Sequence, residues 1–449
     1  MGQSYHLSQV NIVNEGEIKT GDIIISDGII SKIEFGKKLQ TPTASTFING
    51  EGLHLLPGII DDHVHFREPG MEDLAEISTE SKAAVAGGVT SFMDMPNTKP
   101  PAVTLDCLED KYDRASRKSM ANYSFYLGTN NENYDEVMRA SLKNICGIKM
   151  FLASSTGKLL INDEKAIENI FKNTGHIIAA HCEDEETIVN NTNYYKSLKP
   201  NEIDSSVHPL IRTDEAAYIG TNNAVQLARK FNTRLHVLHI SSAKELDLFD
   251  NTLPLHKKRI TAEACVHHLW FTSDFYATKE NFIKVNPSIK SADDRHALRM
   301  ALRNGLIDVV ATDHAPHLIK NKTKDYFDAP SGAPMIQHSL QAMISLSKNG
   351  LWDLTDIAKL MAHNPATLFN IKGRGFIREG YYADLALVNL KEEETVSYDN
   401  TLYKCNWSPL EGTTLSSRVE KTFVNGNLVY DQGRFFTEKK GMRLEFERE

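Results

Sequence analysis

The stretch that decides the fold of this 449-residue chain runs from Pro57 to Gly70 and reads PGIIDDHVHFREPG. An apolar run leads into His63 and His65, which are spaced one residue apart, and a Pro-Gly pair ends the element. In a β-strand, residues i and i+2 project from the same face. The two imidazoles therefore share one face and supply half of a metal site, with two structural histidines as the alternative at this point.

The middle of the chain alternates short apolar strands with helical patterns, which is typical of βα units and a parallel sheet. We predict eight strands, at Leu55–His65, Val89–Met95, Tyr123–Leu127, Gly147–Leu152, Ile177–His181, Leu235–His239, Ile260–Cys265 and Asp308–Asp313. Predicted helices between them include Leu74–Ala86, Asp163–Lys172, Asp214–Phe231 and Asp293–Arg303. The pattern indicates an α/β fold, a (β/α)8 barrel, whose active sites lie at the carboxyl ends of the strands.

The two ends of the chain differ from this middle. Both show short strands joined by tight turns, such as the hairpin signal Asp27-Gly28. We predict that residues 1–53 and 371–449 together build one small β-sandwich domain. Residues 54–370 then form the catalytic barrel as an insertion between the two halves.

Composition excludes several classes of partner. The net charge of −9 argues against nucleic acid or an anionic membrane surface as a partner. The chain shows neither a signal peptide nor an apolar stretch of membrane-spanning length. The five cysteines are widely spaced without a CxxC motif, as expected for reduced thiols in a cytoplasmic protein. A small-molecule substrate is the remaining expectation.

Polar residues interrupt the apolar runs at the predicted strand ends: His63, His65, Lys149, His181, His239 and Asp313. One such residue alone would be structural, but six on one rim predict a metal centre. Burial disfavours the charged form of Lys149, and a neutral amine can add carbon dioxide to give a metal-binding carbamate. An ion pair of Lys149 with Asp313 or Glu183 is an equally good alternative from the residues alone.

The HxHxR-EPG segment resembles the amidohydrolase superfamily and, within it, the dihydroorotases. The resemblance extends from Gly50 to about Phe435 and is strongest in four places: the opening stretch, Gly87–Thr90 with Met95–Thr98, Thr261–Glu263 with His267-His268, and Thr312–His317. It implies that Lys149 is carboxylated and bridges two Zn²⁺ per subunit. The metal ligands it implies are His63, His65, Lys149, His181, His239 and Asp313. The family's second proline after Asn286-Pro287 is missing here, and Val266 replaces the common proline before the two histidines.

The resemblance implies dihydroorotase activity, the reversible interconversion of N-carbamoyl-L-aspartate and L-dihydroorotate in de novo pyrimidine synthesis. Two metals about 3.5–4 Å apart would activate a bridging hydroxide, with Asp313 as general base and acid. Arg67, Asn97 and His317 would bind the substrate carboxylate, and Asn286 would meet the pyrimidine ring. For the two asparagines, a turn role is the alternative.

Two other functions stay open from the sequence. A dihydropyrimidinase, hydantoinase or allantoinase would not need Arg67 for a substrate carboxylate, and an inactive paralogue would only scaffold a transcarbamoylase. The resemblance also implies a homo-oligomer and leaves association with a transcarbamoylase open. The Ala153–Gly157 segment is predicted as a lid, with a passive loop as the alternative, and the segment Asp328–Gln337 as a source of backbone contacts to the ring.

Overall fold

A computed structural model describes residues 3–154, 159–199, 203–438 and 440–448. Within these ranges the middle of the chain forms a closed barrel of eight parallel strands. The His65 N–H donates to the His314 carbonyl at 2.8 Å, which joins the last strand to the first. The strands are Ile59–Val64, Val89–Asp94, Asn122–Phe125 continued by Leu127–Gly128, Ile148–Phe151, Ile178–His181, Leu235–Val237, Ile260–Cys265 and Val309–Ala311. The predicted (β/α)8 barrel is confirmed.

Helices surround the barrel, and several begin with a side chain that caps the backbone. Thr104, Asp163 and Thr213 each accept a hydrogen bond from the N–H three residues further on. No helix among the described residues is both long and apolar enough to cross a lipid bilayer. The α-helices are Ile77–Ala86, Leu105–Lys118, Tyr134–Arg139, Glu164–Asn173, Glu185–Lys196, His208–Ile211, Asp214–Phe231, Val266–Trp270, Tyr276–Lys279, Ala292–Arg303, Ile319–Lys322, Ser339–Ser347, Leu354–Ala358 and Asn364–Phe369.

A second sheet combines strands from both ends of the chain. Strand His54–Pro57 pairs with Tyr5–Asn14 on one side and with Leu385–Asn389 on the other. The predicted hairpin turn is confirmed, since Asp27 and Gly28 have φ values of 51° and 87°. The sheet's other strands are Glu17–Ser26, Ile29–Phe35, Thr46–Asn49, Arg418–Val424, Asn427–Asp431 and Arg434–Phe435. The division into domains at residues 53/54 and 370/371 stays a prediction.

The predicted strand Leu55–His65 is in fact two strands in two different sheets. His54–Pro57 belongs to the terminal sheet, and Ile59–Val64 opens the barrel. The chain passes between the sheets at Gly58, where an added Cβ would meet the Thr90 side chain at 2.2 Å. Only a residue without a side chain fits this close approach.

The last described residues close the amino end of the barrel. Leu444 and Phe446 are buried in an apolar cluster with Met93 and Tyr126 from barrel strands two and three. The Arg448 guanidinium adds hydrogen bonds to backbone carbonyls nearby. The polar rim at the opposite, carboxyl end is therefore the end where a site can form.

Candidate metal centre and substrate pocket

His63, His65 and Asp313 meet where the first and last barrel strands are neighbours. The Nε2 atoms of His63 and His65 lie 3.2 and 3.0 Å from Oδ1 of Asp313, and all three side chains are buried. Burial raises the pKa of Asp313, but the adjacent imidazoles hold it well below its usual range. Burial lowers the pKa of His65 to about 4, so its ring is neutral. Two imidazole nitrogens and one carboxylate oxygen form a metal-ligand cluster.

His181 and His239 form a second pair of donors beside this cluster. Nδ1 of His181 lies 2.8 Å from Nε2 of His239, and the centroid of the His239 ring is 5.4 Å from that of His63. Burial lowers the pKa of both imidazoles, which keeps them in the neutral form that binds metals.

The electrostatics around His63 also favour a cation. Burial lowers the pKa of His63, but Glu263 and Asp313 on either side of the ring raise it above the usual value. The two anions thus stabilise a positive charge between them, and a bound divalent ion would supply that charge. The nitrogen and oxygen donors present fit such an ion.

Lys149 is buried in the same region, and its charge acts on His63 and His181. Burial lowers the pKa of its amine to about 8. Among the described residues no carboxylate lies within 4.0 Å of its Nζ, and Glu183 is instead paired with Arg212. The alternative of a Lys149 ion pair with Asp313 or Glu183 is therefore not what the structure shows.

Three predicted site residues adopt left-handed backbone: Arg67, His239 and Asp313 have φ values of 67°, 40° and 45°. Strands cannot continue through such residues, so the predicted strands to His239 and Asp313 end two residues earlier, at Val237 and Ala311. Each non-glycine residue in this region costs on the order of 1–3 kcal/mol. The surrounding packing maintains this strain at the rim, where it aims the side chains inward.

Glu263 contacts two of the candidate metal ligands, although the sequence did not single it out. Its Oε1 accepts hydrogen bonds from Nδ1 of His63 at 2.9 Å and from the backbone N–H of His239 at 2.9 Å. The Glu263 carboxylate thus helps to orient both His63 and His239, which belong to the two neighbouring groups of candidate ligands. The available signal was the alternation along strand Ile260–Cys265, which places Glu263 on the same face as Thr261.

A buried acid–imidazole pair lies behind Glu263. Nε2 of His236 is 3.1 Å from Oδ2 of Asp62 and 3.8 Å from Oε2 of Glu263. Burial lowers the pKa of His236, but the two carboxylates raise it to about 9, so the ring is a cation at neutral pH. This cation compensates the acidic side of the centre. Asp62 and His236 lie in the same strand segments as the predicted ligands His63 and His239, but neither was itself predicted as a site residue.

Three of the four predicted substrate residues, Arg67, Asn97 and Asn286, meet at a pocket beside the candidate metal cluster. The lining residues are His65, Arg67, Asn97, Asn286, Asp313, Ala315, Ser331 and Gly332. Arg67 is buried and donates to the Pro316 carbonyl at 3.3 Å, while its other guanidinium nitrogen lies 3.1 Å from Nε2 of His317. Among the described residues no carboxylate lies within 4.0 Å of its guanidinium. A buried guanidinium without an acidic partner is suited to bind an anion.

The other three predicted substrate residues take different places. Oδ1 of Asn97 lies 2.7 Å from Nδ1 of His65, so this amide also orients a candidate metal ligand. Oδ1 of Asn286 is buried without a hydrogen-bond partner among the described residues. His317 lies behind Arg67 rather than in the pocket wall, and its Nε2 is 3.0 Å from the Ser331 carbonyl.

The predicted lid is only partly described, whereas the segment Asp328–Gln337 is described throughout. Ser155–Gly157 of the predicted lid lie outside the described residues, while the Ser154 N–H donates to Glu185 at 2.6 Å. The lid stays a prediction. In the segment Asp328–Gln337, Ser331 and Gly332 form part of the pocket wall.

Known proteins resemble this chain over nearly its full length. A sequence model of the amidohydrolase family matches residues 54–429. A dihydroorotase of Methanosphaera stadtmanae is 31% identical over 414 residues, covering 92% of this chain and 93% of the relative. A dihydroorotase of Methanosarcina acetivorans is 30% identical, covering 99% and 97%. The solved structure of an L-hydantoinase (dihydropyrimidinase) from Arthrobacter aurescens superposes with a TM-score of 0.90 at 24% identity, covering 97% of this chain and 98% of that one. At that identity, the structural likeness concerns the fold.

Proposed function

This chain belongs to the amidohydrolase family, and we propose that it acts as a dihydroorotase. The reaction is the reversible interconversion of L-dihydroorotate and N-carbamoyl-L-aspartate, in de novo pyrimidine biosynthesis. Full-length similarity to dihydroorotases supports this assignment. The observation that carries it is the buried guanidinium of Arg67, which has no carboxylate within 4.0 Å among the described residues. It lies in the wall of a pocket that also contains the candidate metal ligands His65 and Asp313.

We propose that the ligand cluster holds two Zn²⁺ ions. His63, His65 and Asp313 would hold one ion, His181 and His239 the other, and carboxylated Lys149 would bridge them. When bound, the metal ions supply Lewis acidity that polarises a carbonyl and lowers the pKa of a water molecule.

The protein's own residues then bind, orient and move protons. Arg67 binds the substrate carboxylate, and Oδ1 of Asn286, which has no partner among the described residues, accepts a ring N–H. Asp313, kept ionised by the neighbouring imidazoles, accepts the proton of the attacking water at Oδ1 or Oδ2 and returns it to the leaving nitrogen. Asn97 and Glu263 keep His65 and His63 in fixed orientations.

The test is a substrate panel with zinc-loaded protein. Dihydroorotate, dihydrouracil, hydantoin and allantoin are assayed with wild type and with Asp313→Asn, which controls for a contaminating host enzyme. We expect turnover of dihydroorotate alone, and its loss by roughly 10²-fold or more in Asp313→Asn. Turnover of the neutral rings instead would assign the protein to the hydantoinase type. No turnover with metal bound would favour the scaffolding paralogue.

Further aspects of this assignment also remain proposals. We propose a homo-oligomer, to be measured by light scattering during size-exclusion chromatography, with association with a transcarbamoylase tested by adding the purified partner. A cytoplasmic location is supported by five free cysteines, four of them buried.

A further inference from the structure

Lys322 is a fully buried lysine that the proposed reaction does not use. It ends the short helix Ile319–Lys322 that follows the last barrel strand. Its Nζ donates to the carbonyls of Lys284 at 3.3 Å, Pro330 at 2.9 Å and Gly332 at 2.9 Å. Three backbone carbonyls surround this nitrogen, which can donate two N–H bonds as the neutral amine and three as the ammonium. Burial and the charges of Lys284 and Arg67 lower the pKa of Lys322 well below its usual value. In the described part of the chain, no carboxylate lies within 4.0 Å of this nitrogen.

The three carbonyls belong to two of the segments that line the pocket. Lys284 stands two residues before Asn286, and Gly332 is itself a lining residue. The Gly332 N–H also donates to the Lys284 carbonyl at 2.8 Å. Lys322 therefore ties the segment after the seventh strand to the segment after the eighth.

The position of this loop is narrowly defined. Gly332 has a φ of 136°, and a Cβ there would meet the Ala315 carbonyl oxygen at 2.5 Å. The neighbouring Ser331 carbonyl lies 3.0 Å from Nε2 of His317, which in turn lies 3.1 Å from the Arg67 guanidinium. A shift of the loop would thus change the contacts that orient Arg67.

Lys284 holds the start of the same loop in a similar way. Its ammonium donates to the carbonyls of Tyr326 and Ala329, both at 2.6 Å. Two lysines thus bind backbone carbonyls along residues 326–332, so their charges serve the loop rather than an acidic side chain.

We propose that Lys322 is a positioning residue that fixes the Pro330–Gly332 backbone against Lys284 and so sets the affinity for the anionic substrate. This inference rests on the proposed function for its kinetic part only. The loop anchoring itself is independent of which substrate is turned over. Lys322 is not among the pocket-lining residues and donates to backbone carbonyls only, so it acts through the pocket wall and through Arg67.

The test compares Lys322→Met with Lys258→Met. Lys258 is a matched control, since its buried ammonium also donates to a carbonyl, that of Gly305 at 3.0 Å, but pairs with Asp308 before the last strand, away from the pocket. Zinc-loaded wild type and both variants are assayed with dihydroorotate. Hydrogen exchange with mass spectrometry then follows the amides of residues 326–332.

We expect Lys322→Met to raise KM roughly tenfold or more while kcat changes by less than about threefold. Hydrogen exchange in residues 326–332 should accelerate roughly tenfold or more in Lys322→Met alone. Unchanged exchange there, or an equal change in Lys258→Met, would overturn the inference. If wild type does not turn over dihydroorotate, the proposed function fails while the exchange result still decides the anchoring. Should Lys322→Met not fold, Lys322→Arg replaces it with the same expected pattern, because a planar guanidinium cannot direct three N–H groups from one nitrogen.

Discussion

Replacing Arg67 by methionine tests the carboxylate site most directly. The guanidinium is buried in the pocket wall, and its polar contacts with the described residues are one carbonyl at 3.3 Å and one imidazole nitrogen at 3.1 Å. Burial lowers the pKa of Arg67 to about 10, which shows that the folded protein disfavours this charge. The charge of Arg67 is therefore unfavourable in the protein without substrate and becomes favourable once a carboxylate binds beside it.

The expected size of the effect follows from this arrangement. Losing one partner of a buried, hydrogen-bonded charge pair costs about 2–5 kcal/mol, so kcat/KM for dihydroorotate should fall about 30- to 5000-fold. For dihydrouracil, which lacks the carboxylate, any activity should change by less than about threefold. Stability should change by less than about 1 kcal/mol, because only weak contacts and an unpaired charge are removed.

Arg374→Met is the matched control for a buried arginine that does have an acidic partner. Arg374 forms a buried ion pair with Asp384, whose Oδ1 also accepts the Asn425 N–H at 2.7 Å. Removing this guanidinium leaves an unpaired buried carboxylate and should destabilise the fold by about 3–5 kcal/mol. Its KM for dihydroorotate should stay unchanged. Steady-state kinetics and urea unfolding of the metal-loaded proteins measure both effects.

The two arginine variants thus predict opposite patterns. If Arg67→Met unfolds as easily as Arg374→Met, the guanidinium has a structural role, and the argument from its missing acidic partner is wrong. If dihydroorotate and dihydrouracil lose activity equally, Arg67 does not bind the carboxylate. Either result would remove the main support for a carboxylated substrate.

Two further predictions concern buried titratable groups. Only the neutral amine of Lys149 adds carbon dioxide, and burial lowers the pKa of this amine to about 8. NMR with isotope-labelled bicarbonate should therefore show a carbamate signal that grows from about pH 7 to about pH 9. The signal should be missing in Lys149→Ala. Burial lowers the pKa of His338 to about 3, whereas the side chain in the unfolded protein titrates near pH 6.5. The neutral, buried ring of His338 therefore contributes fully to the stability of the fold above about pH 6.5, and this contribution is lost as the pH falls. Urea unfolding between about pH 7 and about pH 5 measures this effect. Below about pH 6, the free energy of unfolding should fall less steeply with decreasing pH in His338→Gln than in wild type, by about 1.4 kcal/mol per pH unit. An equal pH dependence in the two proteins would contradict the assignment.

The convergence of the candidate metal ligands was predictable because these residues share a local signature. Each polar side chain follows an apolar run that had to be a buried strand, as with His181 after Ile178-Ala179-Ala180. In a closed parallel barrel the carboxyl ends of all strands meet at one rim, so residues far apart in sequence must converge. The structure brings Asp313 to within 3.0 Å of His65 in this way.

The residues that support the ligands had no comparable signal. Glu263 and His63 are 200 positions apart and meet only through the closure of the barrel. Nothing local distinguishes a glutamate that orients a ligand from one that faces a helix. Likewise, the end of strand His54–Pro57 depends on the approach of Thr90 to Gly58, which is a tertiary contact. The periodicity of the sequence specifies the helices and strands and the face on which each side chain lies. Which side chains then contact each other follows from tertiary packing.

The distribution of charge explains how one fold can discriminate between cyclic amides. Glu263 and Asp313 make the metal side of the site acidic, while Arg67, Lys284 and Lys322 lie on the pocket side without carboxylates within 4.0 Å among the described residues. The amines of Lys284 and Lys322 are already bound by backbone carbonyls. A neutral ring leaves the Arg67 guanidinium uncompensated, so it gains none of the electrostatic free energy that this charge offers. A substrate with a carboxylate gains it only in the orientation that places this group at Arg67 and the opposite side of the ring at the metal ligands. Specificity then arises from the penalty on neutral rings as much as from attraction of the anion, although the barrel itself is shared with hydantoinases.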